Sequence, residues 1–218
     1  MSNFIKFCRA CNCEGLSVVF ELGDQVLSGV FISNNLDDIT TGPLTLVQCN
    51  QCSLVQLQNA YPLDEMYNDG YGYRSGVTEY MRQHLKEVIA FATKNTTLTK
   101  NDCVLDIGCK YGYFCHEAVL KGALSVTGVE INKDNVEISK KIISMWNRDI
   151  EIIEGDFLKT RLDQKFDIVL FLNVIHHVIS PVEILKKISK CTNELMIVEF
   201  PTILDKHTGL NGVQNIIY

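Results

Sequence analysis

Between Asp102 and Glu199 the sequence alternates short apolar runs with longer amphipathic segments, and this alternation limits the fold more than any other feature. It predicts five strands, at 103–107, 125–130, 150–153, 166–171 and 194–199. It predicts helices between them, at 114–121, 133–146 and 181–189. Strands that alternate with helices form a parallel sheet through right-handed crossovers. We therefore expect an α/β, Rossmann-like parallel sheet.

The predicted sheet has an open edge. The segment from Pro201 to Tyr218 has room for at most one more strand, near 213–218. An unpaired edge strand exposes backbone hydrogen-bonding groups. We therefore expect this chain to be a fragment lacking the C-terminal part of the sheet, or another element to cover the edge.

Two CxxC pairs precede the sheet: Cys8-Arg-Ala-Cys11 and Cys49-Asn-Gln-Cys52, with 37 residues between them. Two such pairs deliver four thiolates in the tetrahedral arrangement that zinc prefers, and a site with four protein ligands is structural. Free buried cysteines are the alternative, which the repeated spacing disfavours. Cys13 leaves the ligand set open, because it could replace Cys8 or Cys11.

The residues around these pairs predict a small β module. Strands are expected at 16–22, 44–49 and 54–58, with the second CxxC pair as the turn of a hairpin. A module of this size buries little apolar surface, so we expect a metal to supply much of its stability.

Composition and charge exclude several classes of protein. The N-terminus lacks the apolar segment and cleavage site of a secretory signal, and no uncharged apolar run approaches the roughly 18 residues of a membrane span. We therefore expect a cytoplasmic chain without membrane contact, whose nine cysteines are reduced. The formal net charge of −6 argues against nucleic acid as a partner.

A segment rich in Tyr and Gly, residues 61–78, joins the module to the next helix, which Thr78 can cap. We divide the chain into a zinc-binding module (1–60), this joint with its helix (61–100) and a cofactor domain (101–218). Tyr73 and His84 lie in the joint and its helix, where they could bind a polar substrate or act as general acid and base. Packing between the two parts is the alternative, which spacing alone slightly favours.

The segment Asp106-Ile-Gly-Cys-Lys-Tyr-Gly112 follows the first predicted strand. Gly108 permits a tight turn against which a cofactor can lie, and Glu130, 24 residues beyond Asp106, can accept hydrogen bonds from a ribose diol. Folds that bind NAD use Gly-x-Gly-x-x-Gly, which Lys110 interrupts. An acid before the first glycine is instead typical of class I methyltransferases that use S-adenosylmethionine. A doubly wound domain without these roles is the alternative.

Three further residues belong to the predicted cofactor site. Asp156, followed by Phe157, comes after the third strand and could hold the adenine amino group. Asn173 follows the fourth strand, at the edge of the sheet where ligands bind. Lys110 could turn to solvent or weaken cofactor binding.

The adjacent pair His176–His177 suggests a metal, but neighbouring side chains are expected to diverge and no third ligand is evident. Packing, or a contact near the cofactor, is therefore the better interpretation.

Five segments in this order resemble the zinc-containing sugar C-methyltransferase family: CxxC, PLTLVQCNQCSLVQL, YGYRSGVTEYMRQH, VLDIGC and VIHHV…VEFP. The resemblance covers nearly the whole chain. It implies a nucleotide-linked deoxyketosugar as the acceptor, and that the segment from Tyr73 to His84 faces this substrate. It also implies zinc and cofactor ligands at the positions that the motifs match, which are Cys8, Cys11, Cys49, Cys52, Asp106, Gly108, Glu130 and Asp156.

The chain departs from this family in one respect that concerns the chemistry. In the family, a catalytic Tyr/Glu/His cluster follows a Glu-x-Pro segment, whereas Glu199-Phe-Pro201 is followed here by a short tail. Methyl transfer to an N or O atom, or to a different substrate, therefore stays open. Two rival functions also stay open: an RNA or protein methyltransferase with a zinc-ribbon reader, and a non-catalytic zinc-stapled binding module.

Overall fold

A computed structural model describes residues 3–27, 40–67, 79–95, 101–146 and 149–200. Over these residues the chain divides into two compact units. The first unit contains 3–27, 40–67, 173–182 and 200, and the second contains 79–95, 101–146, 149–172 and 183–199. No helix within the described ranges is long and apolar enough to cross a membrane.

The first unit is built of short antiparallel sheets. Its elements are β1 (Asn3–Phe4), β2 (Leu16–Val26), β3 (Thr41–Cys49), β4 (Val55–Leu57), β5 (Asn59–Ala60) and helix α1 (Leu63–Met66). Strands β2, β3 and β4 form one sheet in that order, and β1 pairs with β5 in another. The hairpin predicted around Cys49 to Cys52 is confirmed as the β3–β4 pair.

Strand β2 is longer than its sequence pattern predicts. The apolar alternation stops at Leu22, but β2 continues to Val26, which pairs with Thr41 of β3. The pairing of β2 with β3 shifts register between Glu21 and Asp24, and this shift accommodates Gly23, whose φ is +68°. Antiparallel pairing therefore extends the strand beyond its own local signal.

The second unit contains the predicted parallel sheet. Its elements are α2 (Glu79–Asn95), β6 (Cys103–Ile107), α3 (Tyr113–Leu120), β7 (Ser125–Glu130), α4 (Lys133–Trp146), β8 (Ile150–Glu154), β9 (Phe166–Leu172), α5 (Pro181–Cys191) and β10 (Thr192–Glu199). The five strands run parallel in the order β10-β9-β6-β7-β8. The Rossmann-like sheet is confirmed.

The centre of this sheet is buried on both faces, as expected for parallel strands covered by helices. Val104 and Leu105 of β6 and Val169 and Leu170 of β9 are 0–2% exposed. Gly128 of β7 is required for packing, because a Cβ there would lie 2.6 Å from Cys109 Sγ. The core therefore holds the C-terminal ends of β6 and β7 at fixed positions.

All five strands end on the same side of the sheet, which we call the carboxyl edge. Their last residues are Ile107, Leu172, Glu130, Glu154 and Glu199. Neighbouring strands lie about 4.8 Å apart, so side chains that follow adjacent strands can meet one ligand. The predicted strand near 213–218 lies outside the described residues.

Candidate functional site

The four paired cysteines come together in the first unit. The Sγ atoms of Cys8, Cys11, Cys49 and Cys52 all lie within 4.8 Å of one another. The Cys8–Cys52 and Cys11–Cys49 sulfur distances are 3.6 and 3.5 Å. Four sulfurs at about 2.3 Å from a tetrahedral zinc ion are about 3.8 Å apart, so the cluster fits zinc.

The two CxxC turns share one backbone geometry. Asn12 and Ser53 each follow a pair and have φ values of +60° and +62°. The N–H of Asn12 donates to the carbonyl of Cys8, and the N–H of Ser53 donates to the carbonyl of Cys49, both at 2.9 Å. The repeated turn holds each pair of sulfurs on the same side of the backbone, as a shared ion requires.

Cys13 lies outside the sulfur cluster. Its carbonyl accepts a hydrogen bond from the N–H of Cys8 at 2.8 Å, and its Sγ accepts one from the N–H of Gly15 at 3.4 Å. Cys13 therefore shapes the turn through its backbone, and the geometry favours Cys8 and Cys11 as the first ligand pair.

Gln56 supports the cluster, a role that the sequence pattern did not indicate. Its side chain is fully buried and its Oε1 accepts a hydrogen bond from the N–H of Arg9 at 3.1 Å. Burial acts to raise the pKa of the Cys8 thiol, but backbone N–H groups and the Gln56 side chain outweigh it and bring the pKa to about 6. These contacts favour the thiolate form of Cys8, which is the form that binds metal.

Asp106 lies beneath the turn after β6 and is 2% exposed. Burial raises the pKa of its carboxyl group to about 7; the hydrogen bond that Cys115 Sγ donates at 3.6 Å lowers it, and the charge of Glu130 raises it. Burial therefore favours the neutral form of the Asp106 carboxyl group more than it would at an exposed position.

The turn from Gly108 to Gly112 alternates left-handed residues. Gly108, Lys110 and Gly112 have φ values of +77°, +51° and +74°. Glycine adopts this conformation freely, whereas a lysine pays roughly 1–2 kcal/mol. A side chain at position 112 would also press on Ile143 Cδ1 at 3.3 Å. Gly108 itself is exposed, so its bare backbone is open to a ligand.

Lys110 is only 9% exposed, so its side chain does not turn out to solvent. Its Nζ atom lies 5.7 Å from the centroid of the Tyr111 ring. The turn after β6 therefore contains a lysine that is largely shielded from solvent.

The Glu130 side chain is hydrogen-bonded to both the turn after β6 and the turn after β7. Its Oε2 accepts a hydrogen bond from the N–H of Lys110 at 2.9 Å, and its Oε1 accepts one from the N–H of Asn132 at 2.8 Å. Its Oε1 also accepts a longer hydrogen bond from Asn135 Nδ2 at 3.5 Å. A carboxylate oxygen can accept two hydrogen bonds, so Oε2 keeps capacity for a further donor such as a ribose hydroxyl.

Asp156 organises the turn after β8. Its Oδ1 accepts a hydrogen bond from the N–H of Leu158 at 2.9 Å, and its side chain is 24% exposed, so it can still meet a ligand. Phe157 is buried, with Lys187 Nζ 4.8 Å from its ring centroid. Lys187 Nζ also donates to the Phe157 carbonyl, so the turn is held from α5.

The segment after β9 belongs to the first unit. Asn173 has a φ of +56°, and a short 3-10 helix, Ile175–His177, follows it. The expectation that His176 and His177 diverge is wrong, because the tight helix brings their ring centroids to 3.9 Å. His177 also meets the Tyr67 ring edge-on at 6.2 Å. Within the described residues, the four cysteines are the one group of three or more potential ligands that could share an ion.

His84 of α2 meets the end of β10. Its Nε2 lies 2.8 Å from Glu199 Oε1, and both side chains are about one-third exposed. Glu199 pairs with Leu172 of β9, so the His84–Glu199 pair lies at the carboxyl edge. The contact joins residues 115 positions apart, and the sequence pattern did not assign Glu199 a role. Tyr73 lies outside the described residues.

Comparison with protein families assigns both parts of the chain. Residues 8–67 match the family described as "Putative zinc binding domain". Residues 77–211, more than half of the chain, match the family described as "Methyltransferase domain". The chain belongs to the class I, S-adenosylmethionine-dependent methyltransferase family.

Curated relatives of this methyltransferase match about two-fifths of its length. It is 35% identical over 78 residues to a "Putative protein N5-glutamine methyltransferase" of Methanocaldococcus jannaschii, covering 36% of this chain and 39% of the relative. It is 30% identical over 97 residues to a tRNA U34 carboxymethyltransferase of Helicobacter pylori, covering 43% of this chain and 37% of the relative. The methyltransferase thus spans less than two-fifths of these relatives' lengths.

Solved structures of low sequence identity share the fold of this methyltransferase. The PH0226 protein of Pyrococcus horikoshii superimposes with a TM-score of 0.52 at 22% identity, over 57% of this chain and 60% of that protein. This similarity supports the parallel-sheet architecture alone.

Proposed function

We propose that this chain transfers a methyl group from S-adenosylmethionine to a small polar acceptor, with a nucleotide-linked deoxysugar as the favoured class. The observation that carries the proposal is Glu130, whose carboxylate joins the turns after β6 and β7 and whose Oε2 keeps capacity for a ribose hydroxyl. The acceptor class comes from the resemblance of the motifs and joint to sugar C-methyltransferases, and the curated relatives do not share it.

The proposed cofactor site follows the strand order. Asp156 and Phe157 after β8 take the adenine, and Glu130 after β7 takes the ribose. The turn from Gly108 to Gly112 takes the part that carries the sulfonium, with Asp106 beneath it. Asn173, directly after β9, is assigned to the neighbourhood of the reacting methyl group. This order uses the spacing of about 4.8 Å between neighbouring strands.

The bound cofactor supplies an already activated methyl group, so the protein contributes mainly by positioning and by excluding water. The zinc module, proposed to span residues 1–60, supplies structure and no chemistry, because four cysteine ligands leave no open position on the ion. Its need for reduced thiols fits a cytoplasmic setting.

Methylation at carbon needs a base that removes a proton beside a ketone, and His84 is the proposed base. Its contact with Glu199 holds one ring nitrogen and leaves Nδ1 for the acceptor. Tyr73 is proposed as its partner from the sequence alone.

We expect His84→Gln to lower turnover of a nucleotide-ketosugar acceptor by roughly 10²–10⁴-fold, because general base catalysis contributes about that much. Affinity for S-adenosylhomocysteine should stay as in the wild type. Gln83→Ala, on the exposed side of the same helix, is the control and should retain activity. Wild-type turnover by His84→Gln, measured with a labelled methyl group, would remove His84 from the mechanism.

Calorimetric titration of the metal-assayed chain with S-adenosylhomocysteine tests the cofactor site itself. We expect micromolar binding, about −8 kcal/mol, together with one zinc ion per chain. Absence of binding by a chain that still holds its zinc contradicts the proposal and favours a non-catalytic, zinc-stapled binding module.

A macromolecular acceptor is the second candidate, favoured by the similarity to relatives named as tRNA and protein methyltransferases. The net charge of −6 counts against RNA. Binding of tRNA that weakens steeply between 50 and 200 mM salt, as expected for several phosphate contacts, would favour this candidate over the sugar.

A further inference from the structure

We infer that Lys110 binds the carboxylate of the cofactor's amino-acid part and makes the site selective for S-adenosyl ligands that carry this group. The inference rests on the proposed function, because it adds a residue to the proposed cofactor site.

The charge balance at the carboxyl edge gives the first reason. Among the described residues, the buried charged side chains in or next to the C-terminal ends of β6 and β7 are Asp106, Lys110 and Glu130, and Lys110 is the basic one. Acidic groups suit a cofactor that carries a sulfonium, but they repel its carboxylate. A cation in the same turn offsets this repulsion and can donate charge-assisted hydrogen bonds to the carboxylate.

The backbone gives the second reason. Lys110 has a φ of +51°, between Gly108 and Gly112, which share the left-handed conformation. Glycine would fill this position without strain, and strained residues are concentrated at ligand sites. The side chain therefore has to contribute something that glycine lacks, and its ammonium group is the feature that a ligand can use.

The strand order gives the third reason. The cofactor is linear, with adenine, ribose and amino acid in sequence. If adenine follows β8 and ribose meets Glu130 after β7, the amino-acid part extends over the turn after β6. Lys110 belongs to this turn, and its N–H donates to Glu130 Oε2 at 2.9 Å. It is therefore next to the residue proposed to bind the ribose, on the side of β6, where the amino-acid part would lie.

Calorimetry with two ligands tests the inference: S-adenosylhomocysteine and its decarboxylated analogue, which lacks the carboxylate alone. We expect the wild type to prefer S-adenosylhomocysteine by about thirtyfold, as for one charge-assisted contact in a partly buried site. In Lys110→Met the preference should fall to about threefold or less. The ratio of affinities cancels any change in the turn that affects both ligands equally.

Two further variants complete the test. Lys110→Gly, which relieves the backbone strain, should lose the preference as Lys110→Met does, and Lys140→Met, on the exposed face of α4, should keep it. A preference that persists in Lys110→Met, or a wild type that binds both ligands equally, overturns the inference while the proposed cofactor site stands. A folded wild type that binds neither ligand overturns both.

Discussion

Removing zinc should unfold the sheet formed by β2, β3 and β4 while the five-strand sheet of the second unit retains its protection from hydrogen exchange. Among its described residues, the first unit buries few apolar side chains: Leu46, Val47, Leu57 and Tyr61, besides Cys8 and Cys49 of the sulfur cluster. Strand β2 is exposed along nearly its whole length. Zinc binding at such sites contributes about 10–16 kcal/mol, which is as large as the 5–15 kcal/mol that stabilises a typical domain.

Hydrogen exchange read by mass spectrometry measures both units in one experiment. After chelation, peptides from β3 and β4 should exchange fast, whereas peptides from β6 and β9 should stay protected. Cys49→Ser should have the same effect without a chelator, because a serine hydroxyl does not replace a thiolate as a zinc ligand. Cys49 is 1% exposed, and the N–H of Cys52 lowers the pKa of its thiol. The matched control is Cys13→Ser, which should still bind one zinc ion per chain.

Wild-type protection of β3 and β4 in the metal-free chain would show that packing holds the first unit. The sulfur cluster would then be an accessory to the fold. Loss of zinc from Cys13→Ser would instead place Cys13 among the ligands and displace Cys8 or Cys11.

The parts of the fold that the sequence predicted well depend on local periodicity. The bounds of β6, β7 and α4 match the prediction, because each is a continuous apolar run or a regular amphipathic stripe. The extension of β2 to Val26 was not visible, because pairing with β3 stabilises residues that have little strand preference of their own.

The residues of the candidate site also differ in whether local sequence predicts their positions. The positions of Asp106 and Glu130 at the ends of β6 and β7 could be predicted from sequence, because the bounds of these strands follow from their apolar runs. Glu199 and Gln56 could not be assigned, because their contacts with His84 and Arg9 join residues 115 and 47 positions apart. Contacts of this kind leave no periodic signal in the sequence.

Glu130→Gln should lower the affinity for S-adenosylhomocysteine by roughly a hundredfold or more and destabilise the fold by about 1–3 kcal/mol. The carboxylate is 6% exposed and accepts a backbone N–H on each oxygen, from Lys110 and from Asn132. An amide of the same shape has one oxygen, so its NH₂ group faces one of these N–H groups and leaves it buried without an acceptor. The substitution also removes the negative charge proposed to meet the ribose diol.

Glu154→Gln is the matched control for this variant. Glu154 ends β8 and is the register partner of Glu130, but its side chain is exposed. We expect it to keep wild-type affinity and thermal stability, measured by calorimetric titration and thermal unfolding. If Glu130→Gln melts earlier yet binds S-adenosylhomocysteine as tightly as the wild type, Glu130 only joins the two turns. The ribose would then be held elsewhere on the carboxyl edge, and the assignment of the turn after β6 to the amino-acid part would fail with it.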